Sequence, residues 1–372
     1  MTAMFDRRAD FDLGELVYLD GAAHGPMPRR SLDAARDALD TKRDPSTLRD
    51  ADYFDLPDRI RAAASTIINC RPEDIAIATG ASHGISLVAC GLDWAAGDHV
   101  VVPSGEFPAN NLPWRDLAVR SGVEVEFVDP SALEGAIRSN TRAVAVGHVN
   151  FATGRQLDLQ SIGQRCADVG ALFLIDASQS VGVTPIDVQA CQASVVAVAG
   201  YKWLLSPYGT GFTYVHRKWV DSFRLPTFNW ATVVGADDFN KLVDLEPVQR
   251  PGAIRFDVPE TAAFVHGSAM AESLEYLLEV GVEAVSAHIA SLHDLLIDLL
   301  PAGFSVGSDL STGRRSSILR LSAATDAGDV YERLYASGIK VSLREGGLRV
   351  APGVWSARED VEKLAVELGR AG

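Results

Sequence analysis

The run Ala171-Leu-Phe-Leu-Ile-Asp176, followed by Ser194-Val-Val-Ala-Val-Ala-Gly-Tyr-Lys202, decides the fold. Each is almost continuously apolar, as a strand must be when both faces of its sheet are covered. The first ends on a carboxylate and the second runs into a lysine. Working outward, His99-Val-Val-Val-Pro103, Glu124-Val-Glu-Phe-Val128, Ala143-Val-Ala-Val-Gly-His-Val149 and Gly211-Phe-Thr-Tyr-Val215 read as further strands. Helical patterns at 56–69, 82–95, 131–138 and 159–169 alternate with them, which predicts an α/β sheet with helices on both faces. Near Pro251-Gly252 the pattern changes to two long helices, about 265–280 and 282–300, and then to short alternating elements. The expected organisation is a large domain over 16–252 and a smaller α+β domain built from 1–15 and 253–372.

The chain has 372 residues, 47% of them hydrophobic, enough to bury a large core. A net charge of -15 repels phosphate backbones and anionic membranes, so neither nucleic acid nor a membrane is an expected partner. The N-terminal stretch alternates charges with short apolar pieces, unlike a signal peptide, and no apolar run approaches bilayer length. A cytoplasmic location is expected. Cys70, Cys90, Cys166 and Cys191 show no C-x-x-C spacing, fall in segments that read as helices or their edges, and are expected to be reduced packing residues. No metal site is expected.

Asp176 ends a strand too apolar to welcome a charge, and ligands of open α/β sheets bind beyond the carboxyl ends of the strands. The position calls for a cation such as the protonated ring nitrogen of a cofactor. Lys202 sits between Gly200-Tyr201 and Trp203-Leu-Leu205, where burial lowers an amine's pKa and makes it nucleophilic toward an aldehyde. Thr79-Gly-Ala-Ser82 offers small residues where a loop becomes a helix, a place for phosphate. Phe107, in Gly105-Glu-Phe-Pro108, follows another strand and offers a face for a flat ring. Taken singly each has a plainer reading: a capping aspartate, a lysine reaching for water, glycines before a helix, an aromatic that only packs. Their combination is what points to a site.

At these residues the sequence resembles the class V aminotransferase family of pyridoxal-phosphate (PLP) enzymes, which includes cysteine desulfurases, selenocysteine lyases, isopenicillin N epimerase and kynureninase. The resemblance runs from Tyr18-Leu-Asp-Gly-Ala-Ala23 through Thr79-Gly-Ala-Ser82, Glu106-Phe-Pro-Ala-Asn110, His148-Val-Asn-Phe-Ala-Thr-Gly154, Asp176-Ala-Ser-Gln179, Gly200-Tyr-Lys-Trp-Leu204 and Arg255-Phe-Asp257 to Leu348-Arg-Val-Ala-Pro352. It implies PLP fold type I, with a large, mostly parallel, seven-stranded sheet. It also implies that Lys202 holds PLP as a Schiff base, Asp176 pairs with the ring nitrogen, Gln179 donates to the phenolic oxygen and Phe107 stacks. Ala81 and Ser82 would hold phosphate, Tyr201 would be a phosphate ligand, and Arg349 would grip the substrate's α-carboxylate. Position 199, often serine or threonine in relatives, is alanine, and the position after Asp20, usually asparagine, is Gly21. Desulfurases carry a cysteine in the loop before that arginine, but Val341-Ser-Leu-Arg-Glu-Gly-Gly-Leu-Arg349 has none.

The expected function is a PLP-dependent transferase or lyase acting on an amino acid. β-Elimination at carbon–sulfur or a related bond and transamination stand level, ahead of epimerisation or a non-catalytic PLP-binding role. A homodimer is expected from the resemblance, with 255–261 reaching the neighbour's site.

Overall fold

Parallel strands lying side by side, apolar on both faces, frame the molecule. The computed structural model describes residues 5–225 and 227–371. In chain order it begins with β1 (Val17–Tyr18), α1 (Arg29–Arg43), α2 (Asp52–Ile68), β2 (Ile75–Ala78), α3 (Ala81–Gly91), β3 (His99–Pro103), α4 (Leu112–Ser121) and β4 (Glu124–Val128). There follow α5 (Leu133–Ala136), β5 (Thr141–Gly147), α6 (Leu159–Val169), β6 (Leu172–Asp176), β7 (Val195–Ala199) and β8 (Gly211–Val215). The remainder comprises α7 (Phe264–Val280), α8 (Val282–Asp298), β9 (Phe304–Val306), β10 (Leu319–Ala323), α9 (Ala327–Ala336), β11 (Ile339–Lys340), β12 (Ser342–Arg344), β13 (Gly347–Val350) and α10 (Arg358–Ala371).

The large sheet has seven strands in the order β2-β8-β7-β6-β5-β3-β4. Only β8 runs against the others. Every residue of β6, β7 and β8 is buried, which matches their unbroken apolar sequences. One face packs on α2, α6 and α7 through Ile60, Ile162 and Leu274, the other on α3 and α4 through Ile85 and Trp114. The smaller sheet, β12-β13-β10-β9, is antiparallel and buries Leu319, Leu321 and Leu348 under α8, α9 and α10. Among the described residues, no single helix is long and apolar enough to cross a membrane.

Some elements went unread in the sequence. Helix α1 buries only Ser31 and Ala38, so its apolar stripe is faint, and β2 is four residues long. Helix α4 leaves Leu112 and Val119 exposed, which blurs its pattern too. The helix expected over 131–138 shrinks to α5, a single turn. Cys191 lies in the turn before β7 rather than in a helix; it is buried by chain reversal, which helical periodicity cannot reveal. Near the ends the chain crosses between the two parts: Val17–Tyr18 pairs with Ile339–Lys340, and α7 packs against α1 and α2.

Strand β2 is an edge strand and delivers the loop that enters α3. Its outer rim is covered: Ile77 N–H donates to Asp257 Oδ1 at 2.7 Å, and Val258 N–H donates to Ile77 O at 3.1 Å. Asp257 is in turn paired with Arg61 of α2, both nearly inaccessible to water. Removing one partner leaves the other as an uncompensated buried charge. Arg61→Ala is therefore expected to destabilise the cofactor-free protein by about 3–5 kcal/mol, read from urea unfolding. A loss no larger than that of a surface arginine would show that the edge is held without this clamp.

Candidate functional site

The carboxyl ends of β3, β5, β6 and β7 and the start of α3 converge on one edge of the sheet, and a cavity of about 230 Å³ lies there. Of the expected residues, Ala81, Ser82, Phe107, Asp176, Gln179, Tyr201 and Lys202 all line it. They come from separate stretches of the chain, and the parallel sheet is what gathers them.

Asp176 is the last residue of β6, and its Oδ1 accepts the Ser178 N–H at 3.0 Å, which fixes the carboxylate at the strand end. On the neighbouring strand Ala197 stands beside it, and β7 carries the chain on toward Lys202. Lys202 is 7% exposed, and among the described residues no carboxylate lies within ion-pair distance of its Nζ. Burial lowers its pKa to about 8, against the opposing pull of Asp176 and with help from the positive charges of Arg349 and Arg344. Its Nζ lies 5.4 Å from the centre of the Phe107 ring and 5.6 Å from that of Tyr201. The backbone around it is pinned: Gly25 N–H donates to Tyr201 O, Ser206 N–H to Gly200 O, and Leu205 takes a left-handed φ of 55°.

Gln179 is held by polarity. The Trp203 indole can only donate, and it donates to Gln179 Oε1 at 3.0 Å. The amide nitrogen must then point the other way, giving one N–H to Ala22 O at 3.0 Å and keeping a second at the cavity wall. Gly21 belongs to the same shell. A Cβ there would lie 2.7 Å from the Trp203 ring and 2.9 Å from that of Trp355, so the two indoles explain the glycine.

Helix α3 begins at Gly80 with no side-chain cap, leaving first-turn N–H groups of Ala81 and Ser82 for a ligand. Gly211 of β8 lets that loop approach, since a Cβ on it would come within 2.9 Å of Gly80 Cα. The aromatic ring of Tyr201 packs against His24 and Tyr208, with centroids 4.8 and 4.6 Å away.

Arg349 stands apart from the cavity wall. Buried at 2% exposure, it donates through Nη1 to Phe151 O at 2.8 Å and through Nη2 to Asp20 Oδ1 at 3.2 Å and Ser342 Oγ at 3.3 Å, while its Nε has no acceptor. Its charge reaches Lys202 from there. The partner Asp20 lies near the other end of the chain, and nothing in the linear pattern pairs the two.

Ser178 and Glu106 are polar wall residues that sequence reasoning missed. Ser178 accepts the Ala199 N–H at 3.2 Å and keeps its own O–H for a ligand. Glu106 accepts the Gly147 N–H at 2.8 Å; burial, with the charge of Asp176, raises its pKa to about 7. The signal that could have found Glu106 is the one that marks Asp176, an acid just past an apolar strand.

The residues fit a PLP group: an unpaired amine for its aldehyde, a carboxylate for its ring nitrogen, an aromatic face and an uncapped helix start. Comparison with known proteins agrees. The sequence model described as aminotransferase class-V matches residues 17–362. A probable cysteine desulfurase of Methanothermobacter thermautotrophicus is 32% identical over 298 residues, covering 76% of this chain and 72% of the relative. One of Streptomyces coelicolor is 29% identical over 77% of this chain and 71% of its own. Among solved structures, the cystine C-S lyase C-DES in complex with cysteine persulfide superposes with a TM-score of 0.85 at 21% identity, covering 96% of this chain and 98% of the other. A C-DES mutant with glycine covalently linked to its PLP cofactor reaches a TM-score of 0.88 at 20% identity, covering 98% of this chain and all of the other. These likenesses identify the fold as PLP fold type I.

Two outcomes follow from the site's packing. In cofactor-free protein, trapping of a small aldehyde on Lys202 by borohydride is expected to rise with pH about a midpoint near 8, because the neutral amine attacks and burial releases its proton early. A midpoint matching the surface lysines, followed peptide by peptide, would contradict the buried setting. Gly21→Asn is expected to lower stability by about 1–3 kcal/mol through overpacking against the indoles, measured by thermal unfolding.

Proposed function

The chain belongs to the aminotransferase class-V family, and we propose that it is a PLP-dependent lyase that removes a leaving group, sulfur or a related atom, from the β-carbon of an amino acid. The observation that carries this reading is Lys202: a buried amine without an ion pair, facing a buried carboxylate across a cavity with a free helix start at its wall. PLP bound there would supply the electron sink for negative charge at the substrate's Cα.

The chain's own residues divide the remaining work. Asp176 would keep a proton on the ring nitrogen, and the α3 N–H groups with Ser82 would bind the phosphate. Phe107 and Gln179 line the cavity, where Phe107 would offer its face to the ring and Gln179 its second amide N–H to the ring's oxygen. Lys202 would hold the cofactor as a Schiff base and, once the substrate's amine takes its place, its freed amine would be the base for the Cα proton while the leaving group departs from Cβ with its electron pair. Arg349 receives the α-carboxylate once part of its bonding to Asp20 is exchanged.

The relatives named as cysteine desulfurases and a cystine C-S lyase support carbon–sulfur chemistry, and the cysteines argue for release rather than storage of the sulfur. Burial pushes the thiols of Cys70 and Cys166 up to about 12 and that of Cys191 to about 11, so none is a thiolate near neutrality. Cys90 is exposed on α3 and does not line the cavity. A homodimer belongs to the same proposal, supported by exposed Phe228, Trp230, Val234 and Val248 in one irregular segment. Light scattering tests it, and a monomer with full PLP affinity would refute it.

The deciding experiment incubates the purified protein with an amino-acid panel and follows ammonia and keto acid. Release without any added keto acid is expected. A strict need for a keto acid acceptor would make the enzyme an aminotransferase, and deuterium uptake at Cα without release would make it an epimerase. Borohydride should fix PLP on the Lys202 peptide, and Lys202→Ala should cost at least about 10²–10⁴ in rate. Replacing all four cysteines should leave turnover intact; its loss on removing a single cysteine, with PLP content unchanged, would restore the persulfide route.

A further inference from the structure

A second cavity, of about 530 Å³, adjoins the first, and Glu106, Gly147 and Phe151 line both. Its walls are largely Pro103, Pro108, Pro130, Ala152 and Leu157. Most of its polar groups are already engaged. Asn150 Oδ1 accepts from Ala152 N–H, Thr153 N–H and Thr153 Oγ1, and its Nδ2 donates to Gly105 O. Two charged side chains are left out of these bonds.

Arg155 sits on the turn that Asn150 organises, its backbone fixed by the bond from Asn150 N–H to Arg155 O at 2.9 Å. Among the described residues its guanidinium makes no ion pair and donates no hydrogen bond, and its Nε is buried without an acceptor. Asp129 and Asp309 feel its charge but stand outside ion-pair distance, in solvent. A partly buried guanidinium left this way is costly unless an anion meets it. Glu345, exposed at the rim, lines the same cavity, and among the described residues only its backbone oxygen is bonded, by Arg320. A free cation and a free anion facing one apolar cavity, without pairing to each other, match the two charges of an amino-acid head group.

The two phenylalanines stand in contact where the cavities adjoin, and Phe107, 42% exposed, is the ring free to turn aside. Lys202 Nζ lies 5.4 Å from the Phe107 ring, and that ring meets Phe151 edge-on with centroids 5.3 Å apart. Phe151 walls both cavities and gives its backbone oxygen to Arg349. A substrate whose α-amino group engages the Lys202 end can pass its side chain along Phe151 toward Arg155 once the Phe107 ring turns off that contact.

We infer that the second cavity is the side-chain subsite and that it selects amino acids whose side chain ends in a second carboxylate, held by Arg155, with Glu345 favouring those that also carry an ammonium beside it. The inference rests on reading the Lys202 cavity as the amino-acid site, yet its own binding does not require PLP.

Calorimetry of the purified protein, with and without PLP, uses three side chains of similar reach: L-norleucine with no distal charge, L-α-aminoadipate with a carboxylate, and diaminopimelate with both charges. α-Aminoadipate is expected to bind at least about tenfold tighter than norleucine, the worth of a charged hydrogen bond, and diaminopimelate tighter still. Arg155→Gln should erase the first advantage while leaving norleucine unchanged, Arg155→Lys should restore part of it, and Glu345→Gln should erase only the second. Equal binding of all three to the wild type would overturn the inference, as would a loss in Arg155→Gln that falls equally on norleucine. Glutarate, which has no amino group for the Lys202 end, separates the two readings. If PLP never attaches but glutarate binds the wild type and not Arg155→Gln, the subsite stands while the catalytic proposal falls. Failure of glutarate and of α-aminoadipate discrimination removes the subsite whatever Lys202 carries.

Discussion

Asp176 and Lys202 attract one another, and the sheet holds them apart. The carboxylate ends β6, its neighbour β7 aligns Ala197 beside it, and the chain must run past Gly200 and turn before the amine appears. Contact would make an ordinary buried ion pair with nothing left for a ligand. Separation leaves two buried groups whose desolvation is unrecovered until something lies between them. Burial lowers the amine's pKa against the pull of Asp176, and the fixed backbone at Gly25 and Leu205 helps keep the gap open.

What keeps it open is packing at one remove. Trp203 follows the lysine and aims its indole at Gln179, so the direction of the amide is set by a donor that cannot be reversed. Trp355, from the C-terminal part, donates to Tyr18 O and crowds the same glycine. The lysine's own segment is thus braced by residues from both ends of the sequence. A rigid brace matters because groups that act on one atom lose much of their effect when displaced by about an ångström.

The parallel strands and the Asp176–Lys202 pair were legible because a short, unbroken, β-branched apolar run between turns fits little but a buried strand, and a charge at the end of such a run must be answered by a partner. Residues whose meaning lies in who stands opposite were not legible. Arg349 reads as a free substrate ligand until Asp20 and Ser342 are seen against it. Arg155 reads as one more loop cation until the bonds of Asn150 show that nothing nearby answers it. Helix α1 was hidden for another reason: it covers the core through α7 with small residues, and its charged face dominates the pattern.

The turn between β12 and β13 shows how a short stretch of backbone limits chemistry. Arg344 pairs directly with Gly347, so only Glu345 and Gly346 join the strands, both with positive φ, at 46° and 73°. This is the two-residue turn whose twist matches that of antiparallel strands, and it has no slack. A thiolate that must reach over a cofactor and then carry sulfur away needs a loop long enough to swing. Placing a cysteine in so tight a turn would supply the atom without the travel. The same tightness fixes Glu345 at the rim of the second cavity, at the cost of a left-handed backbone on a residue with a Cβ. The turn therefore fixes the backbone of Glu345 at that rim and leaves no length of chain from which a thiol could swing.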